Sequence, residues 1–412
     1  MHLMTSVLIG LVAFAIPAVA AEEPAKADAT AAPDTWVTSL ASGIVKADAS
    51  SKTVMYAGLA SSLLLQPAEV VRWEGNDFAG RTPIMTHPTA VWCVQVCDDN
   101  NHVASTDYKG NLQVYDVAAA KATMHEGVFE RWTQAMRFVP GGDSIVAGNE
   151  AGKLFVWDGG KVTKSVDVDK NAITDIAFSH TADRIAVSDG GGTIHLYSWP
   201  ALEANGKIKV SEAPAWCVRF SHDSAAVFVG SGDRTLYRCE AKDAGKVEPL
   251  MQATDWMTRI AISPSGTIAA SEVGGNVFVL AADQQVGSKP EPAGTAPSGI
   301  WAIHWASPTQ LLIGTRKNGV VTLAQSWSLS AAAAPKPAAS EPATAEPAAA
   351  KEPAAAKEPA AAKEPAAEPA AKEPAVEPAA KEPPAEQPAE TPAAAPAAAP
   401  EKAPAPADKP AE

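Results

Sequence analysis

Six segments of the chain carry the same apolar signature at nearly constant spacing. VWCVQV (91–96), TQAMRF (133–138), ITDIAF (173–178), WCVRFS (216–221), TRIAI (258–262) and WAIHW (301–305) place their last large apolar residues in register at Val96, Phe138, Phe178, Phe220, Ile262 and Trp305. The intervals are 42, 40, 42, 42 and 43 residues. Such a period means one supersecondary unit per repeat, too small to bury both its faces alone, so that neighbouring units must stack.

Each unit repeats one internal order. An alternating strand leads to a polar turn, as in FVPGGD (138–143), FSHTAD (178–183) and ISPSG (262–266). A strand of small residues follows (SIVAGN, RIAVSD, AVFVGSG, TIAASE, QLLIGT), then a Gly/Asp-rich turn and a third strand such as LQVYDV or LFVWDG. Short strands punctuated by turn signals predict an all-β array, and a closed ring of blades leaves no exposed sheet edge.

LFVWDGG (154–160) and LQVYDVA (112–118) resemble the third strand of WD-repeats, and FVPGGDSIVAGNEAGKLFVWD (138–158) resembles most of one repeat. The resemblance covers residues 35–330 and implies a β-propeller with four strands per blade. It is specific for fold and silent on function. Residues 41–85 supply a seventh repeat, with KTVMYAGLASS (52–62) as its second strand, VVRW (70–73) as its third and SLLLQPAE (62–69) inserted. Seven blades are expected, six or eight being the alternatives. Residues 36–40 precede the first full blade, and the resemblance implies that such a strand completes the last blade and closes the ring.

The departures from the family pattern are plain. Only Trp157-Asp158 spells the eponymous dipeptide, and the Gly-His step is missing, with His87 and His125 near its place. The family's buried His–Asp network is therefore expected to be mostly absent. Asp107, Asp189 and Asp233 fall in the second turn and read as turn residues.

Outside the repeats, residues 5–20 form an apolar run ending in Ala18-Val19-Ala20, the pattern of a secretory signal peptide cleaved after residue 20. The segment before it lacks Lys and Arg, and an uncleaved anchor is the alternative. No later stretch approaches the ~18 apolar residues of a membrane span, so the mature chain is expected to be exported to the periplasm, envelope or exterior, with residues 21–34 a disordered linker. Residues 331–412 hold 19 of the 34 Pro and no Gly or aromatic residue, and repeat KEPAAA. Pro every few residues breaks helix, and without apolar bulk no core can form. A disordered Pro/Ala/Glu/Lys-rich tail follows, whose fully extended reach would be roughly 250 Å at ~3.1 Å per residue. Inert solubilising tail and spacer are both open.

The body from 35 to 330 carries a net charge of −5 with no basic cluster, which argues against binding to nucleic acid or anionic lipid. Cys93 and Cys97 stand four apart on one strand, about 13 Å at 3.3 Å per residue, too far for a bridge. Cys217 and Cys239 fall on non-adjacent strands, so four free buried thiols are expected. No H-E-x-x-H, C-x-x-C, Gly-rich phosphate loop or G-x-S-x-G is present, and no His, Asp or Glu recurs at one repeat position. No metal or cofactor is expected.

Trp does recur. Trp92, Trp216 and Trp301 lie four residues before the apolar anchor, and Trp132 and Trp256 lie six before it. The resemblance places these positions at the rim where partners dock, so the five could form a collar at the channel mouth. Their alternative role is as wedges filling space left by Ala147, Gly148, Gly230, Ala269 and Ala270. The chain thus reads as a monomeric, non-catalytic, exported scaffold binding a protein or peptide on the propeller rim. A propeller enzyme of lactonase or hydrolase type and a cell-surface structural component are the alternatives.

Overall fold

The computed structural model describes residues 25–26, 28–29, 35–47, 50–61, 63–75 and 78–324. The expected leader at 1–20 and the tail at 331–412 lie outside these. Blade 3 shows the common plan: Thr133–Phe138, Ile145–Asn149, Lys153–Asp158 and Lys161–Asp167 pair in order as an antiparallel sheet. Seven such sheets follow one another along the chain, giving a seven-bladed β-propeller.

The inner strands of blades 1 to 7 are Trp36–Ala47, Val91–Val96, Thr133–Phe138, Ile173–Phe178, Ala215–Phe220, Met257–Ile262 and Ile300–Ser307. Each lies against the next, and that of blade 7 lies against that of blade 1, so the ring is closed. Thr35 adds a bridge across the seam to Asn318.

The small-residue strands are second in each blade, and their composition follows from their position. Ile145–Asn149 and Ile268–Glu272 are buried at every residue, whereas the outer strand Lys161–Asp167 is almost wholly exposed. Apolar side chains on both faces of the inner three strands pack against the adjacent blade. The core is accordingly a set of inter-blade layers, such as Met136, Ile145 and Phe155 of blade 3 with Ala104 and Leu112 of blade 2, or Val37 and Met55 of blade 1 with Leu312 and Val320 of blade 7. The second layer is the ring seam, built like the others.

Two of the small second-strand residues, Gly148 and Gly230, leave no room for tryptophan. A Cβ on Gly148 would meet Ile173 Cγ2 at 2.4 Å, and one on Gly230 would meet Met257 O at 2.6 Å. The first inner residue of the next blade already occupies the space beside these two glycines. Close backbone approach is the reason for glycine there.

The ring also closes differently from the expectation. Trp36–Ala47 is the inner strand of blade 1, pairing with Ser50–Ala60. The outer strand of blade 7 is supplied by Asp28–Ala29, antiparallel to Val320–Ala324. Ala25–Lys26 runs parallel to the edge of blade 6 at Gly294–Thr295. All four cysteines are free and buried, as the strand geometry required.

Candidate functional site

Every inner strand has a register shift near its start, as between Val91 and Cys93, Ala215 and Cys217, and Ile300 and Ala302. The bulge leaves Trp92, Trp216 and Trp301 out of the ladder, and a bulge re-aims the side chain it carries. Trp132 and Trp256 are the residues just before their strands begin, at the same end of the ring. Trp36, at the start of blade 1, occupies the equivalent place.

The structure brings the five expected tryptophans to one face, but in two groups rather than one collar. Trp36 stands between Trp92, at 5.6 Å, and Trp301, at 5.5 Å between ring centroids. Trp132 is 5.0 Å from Trp92, and Tyr108 is 5.4 Å from Trp132. These rings span blades 7, 1, 2 and 3. Trp216 and Trp256 stack at 5.9 Å across blades 5 and 6. Blade 4 breaks the circle, because Thr174 and Ala172 take the two positions.

Burial divides them further. Trp36 and Trp92 are buried, Trp132, Trp216 and Trp301 half-buried, and Trp256 is 49% exposed. The Nε1–H groups of Trp36, Trp92, Trp132 and Trp216 are buried without a hydrogen-bond acceptor. Beside them the insertion of blade 1 packs Leu64 against Trp36 and Trp92 and leaves Leu63 and Leu65 64% and 65% exposed. The Leu64 carbonyl accepts from Ala90 N at 2.9 Å, which ties this loop to the start of blade 2. The Arg316 guanidinium lies 5.1 Å over Trp36.

The ends of the second strands cap this same face. Asp107 accepts from Lys109 N, Asn111 N and Asn111 Nδ2, and Asp189 from Gly191 N, Thr193 N and His195 Nε2. These are the expected turn roles. Asp233 also caps, through Thr235 N and the Tyr237 hydroxyl, but Ser231 holds the ladder position equivalent to Asp107. His87, at the end of the outer strand of blade 1, is fully buried, 2.7 Å from Ser105 Oγ and 3.3 Å from Asp107, so one His–Asp pair forms without a Gly-His step. Two further groups could present metal ligands, Cys97 with His102 and Asp143, and Asp169 with Asp189 and His195. Their side chains are already engaged, Cys97 Sγ donating to Asp99 and Asp189 holding its turn.

Sequence reasoning missed a charged cluster in the central channel. Asp175 of blade 4 accepts from Arg137 of blade 3 at 2.8 Å and from Arg219 of blade 5, and also from Ile176 N and Val218 N. Burial alone would raise its carboxyl, but the Arg219, Arg137 and Arg259 guanidiniums outweigh that and hold it below the usual carboxylate value. Burial pushes the Cys217 thiol up to about 12, and the Asp175 charge adds to this. His304 is pushed down to about 4, by burial first and then by Arg219, and its Nε2 lies 2.7 Å from Ser42 Oγ. A fixed carboxylate, a protonated thiol and a neutral imidazole leave no group here titrating near neutrality, where a general acid or base works best.

His304 has a consequence for stability. The unfolded chain takes up a proton near 6.5, while the folded chain resists until about 4. The unfolded state therefore binds more protons in that window, and stability falls as pH drops through it. His304→Gln is expected to flatten this part of a curve of Tm against pH. An unchanged slope would assign the acid sensitivity to other groups.

The WD domain, G-beta repeat family matches residues 81–116, from the outer strand of blade 1 through the third strand of blade 2. This stretch contains the His87–Asp107 pair and Tyr115-Asp116. The chain is also similar to telomerase protein component 1 of Mus musculus, 24% identical over 237 residues, covering 52% of this chain and 8% of that protein. The chain thus matches less than a tenth of its relative's length. Together with the seven blades, these matches support a WD-repeat β-propeller. Among the described residues no helix is long and apolar enough to cross a membrane.

Proposed function

We propose that this propeller is a non-catalytic interaction scaffold that docks a protein or peptide on its tryptophan face. The observation that carries the reading is the exposed apolar surface of Leu63, Leu65 and Trp256 on the same face as half-buried Trp132, Trp216 and Trp301. Apolar side chains of a partner would cover the leucines and the exposed rings, the composition of an interface hot spot. The murine relative's name describes a protein component, in keeping with a role inside an assembly. Residues 1–20 would export the chain, and residues 331–412 would act as spacer or tether.

The test is a pull-down from envelope extract with residues 21–412 and with 21–330. A stoichiometric partner retained by both forms places binding on the propeller. Trp256→Ala and the pair Leu63→Ser with Leu65→Ser touch exposed positions and should abolish retention while leaving the thermal transition unchanged. Retention by all variants would move the contact off this face, and a partner lost with the tail would move it off the propeller.

A further inference from the structure

The opposite end of the channel has a different chemistry. Inner strands begin at the tryptophan face and end around a cavity of about 520 Å³, open at its outer end. Its wall mixes apolar and polar groups, with Phe178, Phe220, Ile262 and Trp305 beside Ser42 and Gln95. Arg137, Arg219 and His304 line it as well, and the first two also line the narrower space of about 60 Å³ that continues inward to Arg259.

The charges in this channel do not balance. Arg137 and Arg219 share the Asp175 carboxylate, while Arg259 donates to the Thr258 carbonyl at 2.8 Å and has no acidic partner at ion-pair distance among the described residues. Three guanidiniums against one carboxylate leave two positive charges in a confined, partly desolvated space. Buried charge without a counter-charge is costly, so the site favours an anion. A guanidinium fork engaged on one edge can still offer its other N–H groups, which suits a planar carboxylate. The body as a whole is acidic, so this field is local to the channel.

We propose that the channel mouth opposite the tryptophan face binds a small carboxylate carried on an apolar body, its head at Arg137, Arg219 and Arg259 and its body against the wall of Phe178 and Phe220. The size suits this class, since small-molecule sites occupy about 300–1,000 Å³. Asp175 sits between two of the guanidiniums and disfavours multiply charged anions such as phosphate. The ligand would be bound without being transformed. This function is independent of docking at the other end of the ring.

The experiment is isothermal titration of the full chain with 4-phenylbutyrate, 4-phenylbutyramide and inorganic phosphate. The acid is expected to bind at least tenfold tighter than the neutral amide and than phosphate. Arg259→Gln leaves the Asp175 pairs intact, should fold normally by circular dichroism, and should weaken the acid at least fivefold. Trp256→Ala, on the far face, should leave it unchanged. Equal binding of acid and amide, equal binding of phosphate, no detectable binding of the acid, or unchanged affinity in folded Arg259→Gln would each overturn the proposal. Arg219→Gln provides a second reading if Arg259→Gln does not fold: the same loss is expected, and unchanged affinity would overturn the proposal equally.

Discussion

Asp175→Asn should destabilise the propeller by about 3–5 kcal/mol, the range for removing one partner of a buried ion pair. Asp175 accepts from Arg137 and Arg219, which come from the blades on either side, and from two backbone amides. It therefore joins three consecutive blades at the channel wall. Asparagine keeps the shape and one acceptor, but turns an amide toward guanidiniums that can only donate. Three positive charges then share the channel with no carboxylate. The cost should appear as a lower midpoint in urea denaturation with an unchanged slope, because the surface exposed on unfolding is the same. Replacing the cluster together, as Asp175→Leu with Arg137→Met and Arg219→Met, should recover much of the loss, since a buried ion network can often be exchanged for apolar packing. A loss below about 1 kcal/mol in Asp175→Asn would show the channel to be wet enough to solvate the arginines, as at exposed ion pairs.

That cluster also shows where the sequence stops being readable. The anchors Val96, Phe138, Phe178, Phe220, Ile262 and Trp305 fall at one ladder position of the inner strands, so the spacing read along the chain is the true register. Inner strands must lie at one radius to close a ring, and that demand fixes the period. Blade 1 escapes it. Its equivalent residue is Ser42, 54 positions before Val96, because its first two strands run to 12 and 11 residues and extra residues precede its third strand, Ala68–Glu74. Trp36 therefore reads from the sequence as part of a closing strand and falls outside the recurrent aromatic set. The absent Gly-His step likewise hides the pairing of His87, which needs only the imidazole and Asp107 in place. Arg137 and Arg219 lie one residue before the anchor, and Asp175 and Arg259 three before it. One residue type recurring at one repeat position is legible along a chain; a cluster assembled from two positions on facing strands is not. The five tryptophans do share two positions, and so are visible.

Trp92→Ala should cost about 3–5 kcal/mol, as for other buried aromatic truncations, and should do so without any partner present. Trp92 is 6% exposed and touches Trp36, Trp132 and Trp301, which come from blades 1, 3 and 7. Removing it opens a cavity among rigid rings that cannot collapse into the space. Its indole N–H has no acceptor, however, so part of the ring's contribution is already offset by an unsatisfied donor. Trp92→Phe removes that donor and keeps most of the apolar contact, and should therefore cost less than half as much as Trp92→Ala. Trp256→Ala, at the exposed edge of the other aromatic group, should change the urea midpoint very little. This ordering separates two roles that the sequence leaves merged: Trp36 with Trp92 as a core that holds four blades at one end of the ring, and the more exposed rings as the surface it presents. Equal costs for Trp92→Ala and Trp256→Ala would remove that distinction, and with it the reason for testing docking only at the exposed positions.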